Sequence, residues 1–101
     1  MSELINNQEL RIKPLLEGAP PAWYDPGKVV LELDVAPLLA AGEHPLARVK
    51  RAVAACVPGE IVELRTGFRP EPLMFIFKSN GMEVWCGPEG AQFRTCIRKP
   101  L

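Results

Sequence analysis

The chain has 101 residues, 48% of them hydrophobic and 24% charged, the mix of one small globular domain rather than of a disordered segment. Twelve Lys and Arg offset twelve Asp and Glu, so the formal charge is zero, which excludes the strongly basic balance of a general nucleic-acid or membrane-surface binder. No apolar run approaches the roughly 18 residues of a membrane span, and the N-terminus lacks the layout of a signal peptide. Three cysteines are too few and too odd in number for a disulfide framework, so a reducing, cytoplasmic setting is expected.

Prolines punctuate the first 27 residues: Pro14, Pro20, Pro21 and Pro26 stand there with Gly18 and Gly27. Interior prolines remove a helix hydrogen bond and clash with the preceding turn, so residues 1–27 are expected to form an irregular arm anchored by Trp23 and Tyr24. Within it, residues 2–13 fit either a short helix or an extended stretch.

Residues 29–35 alternate, with Val29, Leu31, Leu33 and Val35 on one side and Glu32 and Asp34 on the other, the signature of a strand with one buried face. Residues 37–44 are expected to be a loop. Pro45 suits the first position of a helix, and Leu46, Val49, Val53 and Cys56 or Val57 follow at helical spacing until Pro58-Gly59. Residues 61–65 predict a second strand, residues 66–71 a connecting loop, and Pro72 a second helix start. Leu73, Ile76 and Phe77 would form that helix's inner stripe, leaving Met74 and Phe75 on its far side. Residues 82–86 and 92–98 predict two strands joined by a turn over 87–90.

Strands alternating with short helices and ending in a hairpin predict an α/β (α+β) two-layer sandwich of order βαβαββ. It would be a mixed four-stranded sheet with two helices on one face, occupying residues 28–101 after the arm. By strand parity, Leu31, Leu33, Val62, Leu64, Val84, Phe93 and Ile97 meet the helices. Glu32, Asp34, Glu63, Arg65, Glu83, Trp85, Arg94, Cys96 and Arg98 lie opposite. Mixed charges suit a solvated face; alternatively, Trp85 marks a place where the arm or a second subunit docks.

Leu33-Asp34-Val35, His44-Pro45 and the run from Pro58-Gly59-Glu60 to Leu64 resemble the TusA-like sulfur-carrier superfamily, in the branch catalogued as a domain of unknown function. The resemblance spans roughly residues 28–99 and implies the same βαβαββ sandwich. Sulfur carriers of this superfamily place a persulfide-bearing cysteine in a Cys-Pro-x-Pro motif at the start of the first helix. Counted back without gaps from Pro58-Gly59-Glu60, Pro45 takes the second proline's place, Glu43 the first proline's and Gly42 the cysteine's. The chain thus departs from the pattern at the atom the chemistry needs. His44-Pro45 fits the branch, whereas its second histidine is absent, with Phe68 and Arg69 in that region.

His44, the one histidine, sits at a predicted helix N-cap, where it either shields the helix start or lines a ligand pocket with Glu43, Arg69 and Glu71. If the first two strands are parallel neighbours, their carboxyl-end loops gather at that edge, where ligands tend to bind. Helix-start N–H groups, with Arg65 or Arg69, would favour an anion. Cys56 and Cys86 read as core residues. Cys96, between Arg94 and Arg98, is the remaining thiol, and neighbouring cations would lower its pKa. Scattered cysteines and one histidine lack metal-ligand spacing, and no cofactor motif occurs.

The first functional expectation is a non-catalytic binding or adaptor module holding a partner protein or small anion at the helix-start edge or the Trp85 face. The alternative is a sulfur relay with its thiol moved to Cys96. A third is a structural homodimerisation unit. Interface candidates are Trp23, Tyr24, Met74, Phe75 and Trp85.

Overall fold

The computed structural model describes residues 19–101; the helix-or-extended expectation for residues 2–13 lies outside the described residues. Its elements are a 3-10 turn (Pro26–Lys28), β1 (Val29–Asp34), α1 (Val35–Ala40), α2 (Pro45–Ala55), β2 (Ile61–Thr66), α3 (Glu71–Ser79), β3 (Glu83–Glu89) and β4 (Gln92–Arg98). The sheet runs in the order β1-β2-β4-β3. β1 and β2 are parallel neighbours, and β4 pairs antiparallel with β2 on one side and β3 on the other. This is the mixed four-stranded sheet and α+β layering expected from the alternation.

The core lies between the sheet and the helices. Val49 and Val53 of α2, Cys56 just beyond its end and Phe77 of α3 pack with Leu33, Val62, Leu64 and Ile97 of the sheet. Leu31 and Val84 are partly buried against this cluster, as parity requires, whereas Phe93 is half-buried and outside it. A register irregularity between Val29 and Leu31 pairs Val29 with Ile61 and Leu31 with Val62, yet burial still alternates along all of β1, with Val30, Glu32 and Asp34 exposed.

Three local expectations are corrected. Residues 35–40, expected to end the first strand at Val35 and to open a loop at Pro37, are helical. The Asp34 carboxylate caps α1 by accepting from the Ala36 N–H (3.3 Å), and Pro37 falls in the first turn, where its missing N–H costs no bond. The helix closes when Gly42 N–H donates to Leu39 O and Glu43 N–H to Leu38 O, a paired C-terminal bond pattern that needs a left-handed residue. Gly42 supplies it at φ +76°.

Second, the hairpin turn is the two-residue Gly90-Ala91, with Glu89 paired to Gln92, and β3 continues through Gly87 and Pro88. β3 is an edge strand, where a proline is tolerated because one side has no ladder to donate to. Third, α3 buries Met74 (3% exposed) and Phe77, while Leu73 and Ile76 are half-buried and Phe75 is 71% exposed. Met74 is therefore a core residue rather than an interface anchor, and only Phe75 of that pair faces outward.

No helix among the described residues is long and apolar enough to cross a membrane.

Candidate functional site

Because β1 and β2 are parallel, their carboxyl ends feed α1 and the β2–α3 loop at one edge of the sheet, where α2 also begins. A cleft of about 280 Å³ opens there. It is lined by Val35 and Leu39 of α1, Pro45 and Leu46 of α2, Phe68 and Pro70 of the loop, and Leu73 and Ile76 of α3. The loop is held by the Thr66 hydroxyl, which donates to Phe68 O, and by Pro70, which is buried. Leu39 (53% exposed) and Phe68 (58%) stand at the mouth. The lining is thus almost wholly carbon, suited to an apolar group.

The polar residues expected to build this site surround it instead. Glu43 is exposed and pairs with Arg48 (3.7 Å), and Arg69 is exposed and pairs with Glu71. Each is next in sequence to a lining residue or one position removed, so the four charges form a rim around an apolar centre. His44 is the exposed N-cap of α2 and makes no side-chain cap bond. Arg65 is absent from this edge altogether. By strand parity it lies on the opposite face of the sheet, where it meets Glu89 (2.8 Å), Glu63 (3.1 Å) and Glu32 (3.5 Å). Among the described residues, no arginine pair converges on the start of α2 to hold an anion.

That opposite face has its own organisation, centred on Glu63, which is 2% exposed. The Tyr24 phenol donates to Glu63 Oε1 (3.0 Å), Arg65 reaches Oε2, and Arg94 Nη1 stands 4.0 Å from Oε1. The Arg94 guanidinium sits against the Tyr24 ring (5.1 Å to the centroid) and the Trp85 ring (5.3 Å). Arg98 pairs with Glu83 and lies against Trp23 (5.6 Å). Trp85 folds over Gly87: a Cβ added there would meet the indole at 2.5 Å, so the glycine makes room for the ring. The charged face is therefore covered by Trp23 and Tyr24, and Trp85 marks where the arm docks.

Cys96 is fully buried beneath this arrangement, its thiol 3.7 Å from Glu63 Oε1. Burial, reinforced by the Glu63 carboxylate, pushes its pKa up to about 12 against the opposing pull of Arg94 and Arg65. The direction is the reverse of that expected from Arg94 and Arg98 alone. Burial also raises the Tyr24 hydroxyl, and Glu63 adds to it. Cys56, whose thiol donates to Ala52 O (3.3 Å), is raised first by burial, and Cys86 is buried under the helix layer's side of the sheet.

Reasoning from polar side chains overlooked the apolar cleft. Its signals were Leu38-Leu39 after a capping aspartate and Phe68 standing among Pro70 and Pro72. No family model, curated protein or solved structure matches the chain.

Proposed function

We propose that this chain is a non-catalytic binding module, related in fold to the sulfur carriers it resembles, whose cleft at the start of α2 receives an apolar side chain of a partner polypeptide. The observation that carries the reading is the cleft's carbon lining with exposed Leu39 and Phe68 at its mouth, ringed by the Glu43–Arg48 and Arg69–Glu71 pairs. An apolar centre with a polar rim is the usual anatomy of a protein-binding patch, and clefts at the carboxyl ends of parallel strands are common ligand sites. A small anion fits less well, since each arginine at this edge already faces a carboxylate. The sulfur-relay alternative is disfavoured by the position of Cys96, buried, protonated and on the other face of the sheet.

The test is a methyl and amide NMR titration with N-acetyl-leucine amide, a stand-in for a partner's side chain, beside one with inorganic phosphate. Saturable shifts at Leu39, Leu46, Phe68 and Ile76 are expected with the first, abolished in Leu39→Glu, whose exposed position leaves the fold intact by circular dichroism. Saturable phosphate shifts at His44 and Arg69, with none from the leucine derivative, would replace this reading by anion binding.

A further inference from the structure

The two faces of the sheet are covered by segments attached in different ways. α2 and α3 are joined to the sheet through a continuous apolar core. The segment carrying Trp23 and Tyr24 makes no backbone hydrogen bond to the sheet. Its described backbone bonds are local, Tyr24 N–H to Pro21 O and Lys28 N–H to Asp25 O. Among the described residues, side chains hold it: the Tyr24 hydroxyl on Glu63, Arg94 reaching that hydroxyl (3.4 Å), and two rings against Arg94 and Arg98.

Beneath it the Tyr24 hydroxyl and the Cys96 thiol meet the same oxygen, Glu63 Oε1. Cys96 is paired across the strands with Glu63 on β2 and Trp85 on β3, in the middle of the face that carries no helix. Around that thiol stand Glu63, Trp85 and Arg94 of the sheet's own face, and Tyr24 of the arm lies across them. Segments held by few side-chain contacts open at lower free energy than the core to which they are attached.

We infer that Trp23 and Tyr24 form a releasable strap over Cys96, so that the thiol becomes open to thiol-directed electrophiles when the strap lifts, with the sheet and its helix layer still folded. Lifting the strap removes the cover, and it also returns water to a thiol that burial keeps protonated, so one motion governs both access and thiolate formation. The device is independent of the cleft at the carboxyl edge.

The three cysteines supply the test, because Cys56 belongs to the core cluster and reports its opening, while Cys86, buried on the helix-side parity of β3, is a second reference. Full-length protein is treated with N-ethylmaleimide, quenched over time, and each cysteine's labelling is read by peptide mass spectrometry. The double variant Trp23→Ala/Tyr24→Ala is expected to raise the Cys96 rate by about tenfold or more, with Cys56 and Cys86 unchanged. Tyr24→Phe, which keeps the ring, should raise it less. The wild type is measured as well, in low concentrations of urea: Cys96 labelling should depend weakly on urea, whereas Cys56 and Cys86 labelling should follow global unfolding. An equal rise at all three thiols, a Cys96 rate unchanged in the double variant, or the same urea dependence at all three would overturn the strap.

Discussion

The helix-covered face and the strap-covered face belong to the same four strands, yet they are closed by opposite chemistry. On one, Leu33, Val62, Leu64 and Ile97 meet the helices through carbon alone. On the other, a buried Glu63 and the half-buried Arg65 and Arg94 form a charged cluster, with Trp85 of β3 and Tyr24 from outside the sheet lying against Arg94. The first arrangement gains its stability from area removed from water. The second gains little from the charges themselves, whose attraction is offset by desolvation, and depends on every partner being present. A sheet can thus be rigid on one side and openable on the other.

Four measurements sharpen this contrast. Leu64→Ala, at a fully buried position of the helix face, should cost about 3 kcal/mol in urea unfolding, because a cavity opens that the surrounding core cannot refill. Glu63→Ala should cost about 2 kcal/mol: it removes the acceptor of the Tyr24 hydroxyl and leaves a gap in the face, while Arg65 keeps Glu89 and Glu32 and Arg94 keeps Glu89 near solvent. A loss at Glu63 larger than at Leu64 would reverse the comparison. Gly42→Cys should cost about 1 kcal/mol, since φ +76° is unfavourable for a side chain although open space surrounds it.

A further effect is on pH dependence. The Cys96 thiol ionises near 9.0 when unfolded and near 12 when folded, so between those values the unfolded chain gives up a proton that the native chain keeps. Stability must then fall as pH rises through that window. Tyr24, raised above its usual 10.0, acts with the same sign. The urea midpoint should decline from about pH 9 upward, and less steeply in Cys96→Ala.

Much of the sheet was legible because a strand with one buried face writes its pattern at every second residue. From Leu31 to Asp34, and at Val62 and Leu64, parity alone separated the core from the charged face. α1 was not legible, because Pro37 reads as a breaker unless Asp34 is recognised as the cap that puts the proline in the first turn. The state of Cys96 was not legible either. Its parity was read correctly, but its environment depends on Tyr24 and Glu63, 39 residues apart, meeting over it, and no local pattern encodes that. The edge cleft was located by topology and mistaken in character, since charged residues in its loops form the rim and prolines and leucines form the site.

Gly42 is the left-handed residue that closes α1 beside the apolar cleft; under the proposed relation to the sulfur carriers it would stand where they hold their cysteine. The account's central claim, that this fold works by binding rather than by carrying sulfur, is tested most directly by incubating the protein with a cysteine desulfurase and cysteine and recording its intact mass. The account predicts an unchanged mass under conditions that load a sulfur carrier. A gain of one sulfur atom, removed by reductant and mapped to Cys96, would contradict it.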